Sequence, residues 1–167
     1  EKSKDILQKH RIEKLLVVDD NQNLAGLITV KDIQKNEDYP LACKDKNGRL
    51  RVGAAVGISD DTYERISSLV AVEVDAVVID TAHGHSKGVL DIIKKIKQKF
   101  SNLAIIAGNV ATGDGAKALI DSGVDCVKVG IGAGASCTTR VIAGVGVPQL
   151  TAIMDAVDIA KNSDIPV

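Results

Sequence analysis

Aromatic side chains are almost missing from this chain: its 167 residues include no Trp, one Phe and two Tyr. Stacking platforms for nucleic-acid bases are therefore scarce, and the interior must be built from Val, Ile, Leu and Ala, as in buried parallel sheets. An excess of one charge is missing too. The 21 basic and 22 acidic residues leave a formal net charge of -1, which offers no electrostatic hold on nucleic acid or on a membrane surface. Only three cysteines occur, Cys43, Cys126 and Cys137. An odd, widely spaced set without CxxC argues against a disulfide scaffold and against a zinc site, and fits a reducing compartment. No signal peptide and no apolar run of bilayer-spanning length are present, so a cytoplasmic location is expected. A chain that is 45% hydrophobic and 26% charged reads as an ordinary soluble globular domain.

In chain order, Ile6 and Leu7 mark one face of a short helix over 4–11. Leu15-Leu16-Val17-Val18 and Leu24 to Val30 read as two strands of a hairpin around the dense turn Asp19-Asp20-Asn21-Gln22-Asn23. Lys31 opens a second helix, with Thr29 or Asp32 available near its start, and His10 reads as a solvated or helix-end histidine. Asn36-Glu37-Asp38-Tyr39-Pro40 reads as a polar linker and the domain boundary, giving domains of 1–36 and 37–167. Residues 41–57 read as strand, Asn47-Gly48 turn, strand, with Cys43 a small strand residue without chemistry.

From there the pattern alternates. A helix capped by Ser59 or Asp60 runs to about Val72 with Ile66, Leu69 and Val70 inward. Strands at 75–80, 103–107 and 124–129 alternate with helices at 86–100 and 113–122, the first of these with Val89, Leu90, Ile92, Ile93 and Ile96 on its apolar face. Pro148 suits the first turn of a further helix to Lys161, and Ile165-Pro166-Val167 opens one more strand. Tandem βα units predict a parallel sheet. Gly- or Asp-marked loops after every strand suit a (β/α)8 barrel better than a doubly wound sheet. About four βα units make half a barrel, and the chain starts without Met and stops as a strand opens, so a fragment is expected.

The stretch that organises the chain is Gly130-Ile131-Gly132-Ala133-Gly134-Ala135-Ser136-Cys137-Thr138-Thr139-Arg140. Its alternate glycines leave a backbone open to a ligand or an ion. The third glycine is one residue early for the dinucleotide fingerprint, and the stretch runs into Ser136 to Thr139 rather than a helix. Cys137, among polar neighbours and near Arg140, is the candidate nucleophile. Cys126, inside a strand, reads as a packing residue. Asp80, at a strand's carboxyl end, can accept bonds from ribose hydroxyls. His83-Gly84-His85 lacks a third metal ligand, and both histidines read as loop residues bonded to backbone. Asn109 can face a ligand amide or cap the next turn, and spacing leaves both open.

Several stretches resemble the inosine 5′-monophosphate (IMP) dehydrogenase family. They are Pro40 to Asp45, Arg51 to Gly57, Val78-Ile79-Asp80-Thr81-Ala82-His83-Gly84-His85-Ser86, Ala107-Gly108-Asn109-Val110-Ala111-Thr112, Val127 to Gly132, and Cys137-Thr138-Thr139-Arg140 onward to Ile153. His10 to Asp19 and Gly26 to Ile33 resemble the second half of a CBS (cystathionine-β-synthase-type) module, and this family typically carries a CBS pair inserted into its barrel. The resemblance implies a partial (β/α)8 TIM barrel preceded by half a CBS module, and oxidation of IMP by NAD. It implies that Cys137 adds to C2 of IMP, that a covalent thioimidate is then hydrolysed to xanthosine monophosphate, and that Thr139 sits near that step. It places NAD on Asp80, Asn109, Gly130, Ile131 and Gly132, the substrate by Ala135, Ser136 and Cys137, and a potassium ion on carbonyls of Gly132, Gly134 and Cys137. A homotetramer is implied as well. Ala133 and Ala135 stand where the family usually has Pro and Ser, so Ala135 lacks the hydroxyl that meets the IMP phosphate. Ser136 replaces a bulky apolar residue and Glu73 a usual Gly. Later phosphate-binding strands and the mobile flap with its hydrolytic Arg are not in the sequence, so residues 1–167 alone are expected to be inactive. Guanosine monophosphate (GMP) reductase, or a non-catalytic nucleotide-binding fragment, are the alternatives.

Overall fold

The computed structural model describes residues 2–167. The chain divides into two compact units, the first ending at Leu50 and the second spanning Arg51–Val167. The break expected after residue 36 falls inside a helix of the first unit.

In the first unit, helix α1 (Lys2–His10), strands β1 (Lys14–Val18) and β2 (Leu24–Thr29) and helix α2 (Val30–Asp38) follow one another. The strands pair antiparallel, Leu15 opposite Ile28 and Leu16 opposite Leu27. The Asp19 carboxylate accepts the N–H groups of Asn21 and Asn23 and so fixes the turn. Thr29 and Asp32 form a reciprocal capping box at the start of α2, and a cap of this kind is worth about 1 kcal/mol. Leu7 is buried and His10 is exposed at the end of α1. Two expectations need correction. Asn36 to Asp38 are the last turn of α2 rather than linker, tied down by the Lys4–Glu37 ion pair at 2.5 Å. Of the strand–turn–strand over 41–57, the hairpin pairing is reduced to a single Lys44–Leu50 bridge, while Gly53–Val56 is a strand that pairs parallel with Ala76–Ile79 instead. There Asp45 accepts the N–H groups of Asn47 and Arg49 on its carboxylate and donates its own N–H to the Arg49 carbonyl, which closes a tight turn. Cys43 is exposed and outside any strand.

The second unit alternates β3 (Gly53–Val56), α3 (Thr62–Ala71), β4 (Ala76–Asp80), α4 (Lys87–Lys99), β5 (Ala104–Val110), α5 (Gly113–Asp121) and β6 (Cys126–Val129), then α6 (Thr139–Ala143) and α7 (Gln149–Ala160). The four strands lie side by side in chain order, all parallel. This is an α/β fold with a parallel four-stranded sheet. Val77, Ile79, Ile105 and Ala107 of the central strands are fully buried, as are Ile66, Val89, Ile93, Ile96 and Leu119 of the helices packed on them. Each large aliphatic side chain so buried stabilises by roughly 1.5–3 kcal/mol. Helices α5 and α7 meet through small residues. Ala152, Ala156 and Ala160 are buried, and a Cβ on Gly113 would lie 3.1 Å from Ile159 Cγ1.

Three further details of secondary structure differ from expectation. Neither Ser59 nor Asp60 caps α3. Asp61 occupies the cap position without a side-chain bond, while Thr62 Oγ1 accepts the Ser59 N–H at 2.7 Å and donates to the Gly57 carbonyl at 3.0 Å. The stretch after Cys137 contains the short helix α6. Residues 165–167 are not a strand, although the Pro166 carbonyl accepts the Val127 N–H at 3.0 Å beside β6. Among the described residues no helix is long and apolar enough to cross a membrane.

A repeated device joins helix to strand. Helix α3 ends with Val74 N–H on the Leu69 carbonyl and Glu73 N–H on the Val70 carbonyl; α5 ends with Val124 on Leu119 and Gly123 on Ile120. Both are Schellman ends, which need a residue of positive φ, and here Glu73 (61°) and Gly123 (96°) supply it. An aspartate follows each. Asp75 Oδ2 accepts the Val52 N–H at 2.8 Å, and Asp125 Oδ2 accepts the Ile105 N–H at 2.7 Å. A Cβ disfavours this conformation by about 1 kcal/mol, so Glu73→Gly is expected to stabilise the fold by up to about that amount and Gly123→Ala to destabilise it comparably. Urea unfolding of both variants beside the parent chain measures the two shifts.

Candidate active site at the carboxyl ends of the strands

The carboxyl ends of β4, β5 and β6 and the stretch after β6 enclose a cavity of about 380 Å³ lined by Asp80, Thr81, Ala82, Asn109, Gly130, Ile131, Gly132, Cys137 and Thr139. Seven of the residues singled out from sequence thus converge: Asp80, Asn109, Gly130, Ile131, Gly132, Cys137 and Thr139. Gly134, Ala135 and Ser136 are exposed and do not line it.

The sheet register builds the floor. Asp80 pairs with Gly108 and Gly108 with Lys128, so three adjacent strands place carboxylate, glycine and ammonium in one row. With no side chain at Gly108, the lysine reaches across to Asp80, Nζ to Oδ1 at 2.6 Å, both side chains half exposed. A Cβ on Gly108 would collide with the Lys128 carbonyl and lie 2.7 Å from Lys128 Cβ. Lys128 was missed from sequence. Its signal was a lone lysine in a strand otherwise built for burial.

Beyond Gly108 the ladder slips by one residue, Val110 pairing with Val129, and Asn109 is the extra residue. A bulge re-aims a side chain, and this one serves three segments. Asn109 N–H donates to the Thr81 carbonyl at 2.8 Å and its own carbonyl accepts the Gly84 N–H at 2.8 Å. Its Nδ2 donates to the Gly130 carbonyl at 2.8 Å. Thr112, not Asn109, caps α5. The partner acceptor, Asn109 Oδ1, is buried without a hydrogen bond. An orphaned buried acceptor is costly, and this one belongs to a residue of the cavity lining. In His83-Gly84-His85 the glycine does the structural work. A Cβ on Gly84 would sit 3.0 Å from Gly108 backbone atoms, while both histidines are exposed. Among the described residues no group of three His, Cys, Asp or Glu side chains is placed to hold a metal.

Cys137 is half buried, its Sγ 3.3 Å from Thr139 Oγ1. The Thr139 hydroxyl and N–H, then the Arg140 charge and the Gly132 N–H, favour the thiolate over the opposing cost of burial, and together hold the thiol below its ordinary value. Burial alone pushes Cys126 up, as a packing cysteine should be. The Gly134 carbonyl accepts the Cys137 N–H at 3.1 Å and Arg140 Nη2 at 3.3 Å. Those lone pairs are engaged and a guanidinium stands beside them, so this arrangement does not fit a potassium ion on Gly134.

Comparison with known proteins follows the same site. The family described as IMP dehydrogenase / GMP reductase domain matches residues 15–167. The chain is 56% identical over 167 residues to an inosine-5′-monophosphate dehydrogenase of Aquifex aeolicus (strain VF5), covering 100% of this chain and 34% of that protein. It is 59% identical over 165 residues to one of Yersinia pestis, covering 97% and 34%. A crystal structure of GMP reductase from Trypanosoma brucei in complex with guanosine 5′-triphosphate superposes with a TM-score of 0.85 at 38% identity, over 98% of this chain and 39% of that one. The chain thus spans about a third of the length of the curated relatives it matches.

Because thiolate is the reacting form, Cys137 is expected to be alkylated by iodoacetamide faster than Cys126 at pH 7. Thr139→Ala should raise the Cys137 midpoint and narrow that gap. Mass analysis of the labelled peptides across pH 6–10 measures both.

Proposed function

This chain belongs to the IMP dehydrogenase / GMP reductase family, and on that premise we propose that it is a central part of an NAD-dependent IMP dehydrogenase. The supporting observation is that Cys137, its activating Thr139 and the acceptor-bearing Asn109 share one cavity with Asp80 at the carboxyl rim of a parallel sheet. In this reading the four-stranded sheet is about half of a (β/α)8 barrel, and residues 1–36 are the second half of a CBS module. The segments completing both belong to a longer chain, which acts in the cytoplasm. The homotetramer rests on the family resemblance alone.

The residues present fit a dinucleotide beside a purine nucleotide. Gly130, Ile131 and Gly132 bring a stretch of backbone to the cavity beside Asp80 and Asn109, whose Oδ1 is a buried acceptor with no partner of its own. Asp80, steadied by Lys128, offers its second oxygen to ribose hydroxyls. NAD, when bound, accepts the hydride. The Cys137 thiolate adds to C2 of IMP, forming a C–S bond. Loss of hydride from C2 restores a C=N bond and leaves a thioimidate on sulfur. Water adds to C2, the C–S bond breaks, and xanthosine monophosphate leaves with Cys137 free again. Thr139, within hydrogen-bond reach of that sulfur, steadies the thiolate as it departs. Thiolate is required for the first bond, so turnover should fall as pH drops through the lowered Cys137 midpoint. The potassium ion implied by the resemblance would need Arg140 to leave the Gly134 carbonyl, and no step is assigned to it.

Adding IMP and NAD to the full-length chain is expected to raise absorbance at the reduced-nicotinamide band. Cys137→Ala should abolish the signal, and IMP should protect Cys137 from iodoacetamide. Consumption of NADPH with GMP instead would overturn the assignment in favour of the reductase. Ala135→Ser, which supplies a hydroxyl for the phosphate, should lower the KM for IMP by roughly tenfold, since a hydrogen bond to a charged group contributes about 1.5–3 kcal/mol.

A further inference from the structure

The backbone that carries Gly130, Ile131 and Gly132 is gripped from a second side by the chain that returns to start α7. Gln149, the first residue of that helix, does not line the cavity. Its Nε2 donates to the carbonyl of Val129, the last residue of β6, at 3.1 Å. Its Oε1 lies 2.7 Å from where a Cβ on Gly130 would sit, so the amide packs flat against the bare glycine. The next contact outward is Val147 N–H on the Ile131 carbonyl at 3.0 Å. Beyond it, Val145 and Gly146 close on Gly132, where a Cβ would be 2.6 Å from the Val145 carbonyl. On the other side, Asn109 Nδ2 holds the Gly130 carbonyl and the Val110 carbonyl accepts the Gly130 N–H at 2.8 Å.

We propose that Gln149 is a positioning residue: it clamps the β6 exit at Val129–Gly130 against Asn109 and thereby fixes the Gly130–Gly132 wall of the cavity, which Cys137 also lines and on which the Arg140 side chain packs. The role deepens the proposed site and rests on that reading only for its link to turnover. The coupling is short. The segment from Gly130 to Gly132 is three residues long, its two glycines hold positive φ (136° and 71°), and such a backbone keeps one shape only when its neighbours impose it. The Arg140 stem packs against Gly132, its Cγ 3.0 Å from where a Cβ there would sit, and the Arg140 charge is among the groups that favour the Cys137 thiolate. If the clamp is lost, Gly132 and the Arg140 side chain resting on it shift, and the thiolate loses part of its support.

Two variants of the full chain separate donation from shape. Gln149→Met keeps length without a donor, and Gln149→Glu keeps the shape but presents a carboxylate to the Val129 carbonyl. The rate of Cys137 alkylation by iodoacetamide, read peptide by peptide from pH 6 to 10, is the measurement, with a thermal melt to confirm folding. Both variants are expected to shift the Cys137 profile to higher pH. A one-unit shift lowers the thiolate fraction tenfold at pH 7, partly offset by the greater nucleophilicity of a more basic thiol, for a net slowing of about threefold. Cys126 should be unchanged. A folded Gln149→Glu chain with the native Cys137 profile would mean that only shape matters and would overturn the proposal, as would a native profile for Gln149→Met; if the Met variant does not fold, the Glu variant decides. Alkylation needs no turnover, so this result stands apart from whether the chain oxidises IMP. In an active enzyme the same variants should raise the KM for NAD more than they lower kcat.

Discussion

The close approach of three strands at Gly108 governs the carboxyl rim. Parallel strands fix which residues sit side by side, and here they align Asp80, Gly108 and Lys128. The central member has no side chain, so the two outer ones meet above it. Any larger residue would strike the neighbouring strand and lift the lysine, leaving a carboxylate at the cavity without its partner. Gly84 leans on the same glycine from the preceding loop. Two bare backbones in contact let a loop fold down over the sheet without a gap.

One residue further on, the ladder slips, and Asn109 bonds with its main chain to the loop after β4 and with its side chain to the loop after β6. A single bulge therefore orders both walls of the cavity. The thiol then sits against the Thr139 hydroxyl, with the Arg140 charge also favouring its thiolate. A nucleophile needs such a setting to be reactive near neutral pH. The rest of the rim supplies a ligand-sized opening in front of it.

Much of this was legible in the sequence. The βα alternation gave the parallel sheet because each strand is a short Val/Ile run and each helix carries an apolar stripe. Cys137 stood out because its neighbours are polar, and the cavity does contain it with Asp80 and Thr139. The family resemblance puts a usual glycine at position 73, and Glu73 does adopt the positive φ that a glycine takes without strain. What stayed hidden depends on register. Nothing local in the sequence says that Lys128 faces Asp80 across 48 residues or that Asn109 lies on a bulge. Gln149 looked like an ordinary helix residue, since its partner is brought back only by the turn through Gly144 and Gly146. The 41–57 hairpin failed for the opposite reason. The Asn47-Gly48 turn signal was real, and Asp45 closes it, but Gly53–Val56 pairs with the parallel sheet instead of with the residues before the turn.

Asp75 and Asp125 do the same work at the opposite rim, each tying its own strand to the start of the strand before it. The stagger of the sheet is thus set at the edge remote from Cys137. Loops on the reactive side can change length or chemistry while the strands keep their alignment. A scaffold pinned in this way lends itself to exchange of its top loops, with the two aspartates left in place as the fixed datum from which each new loop is measured.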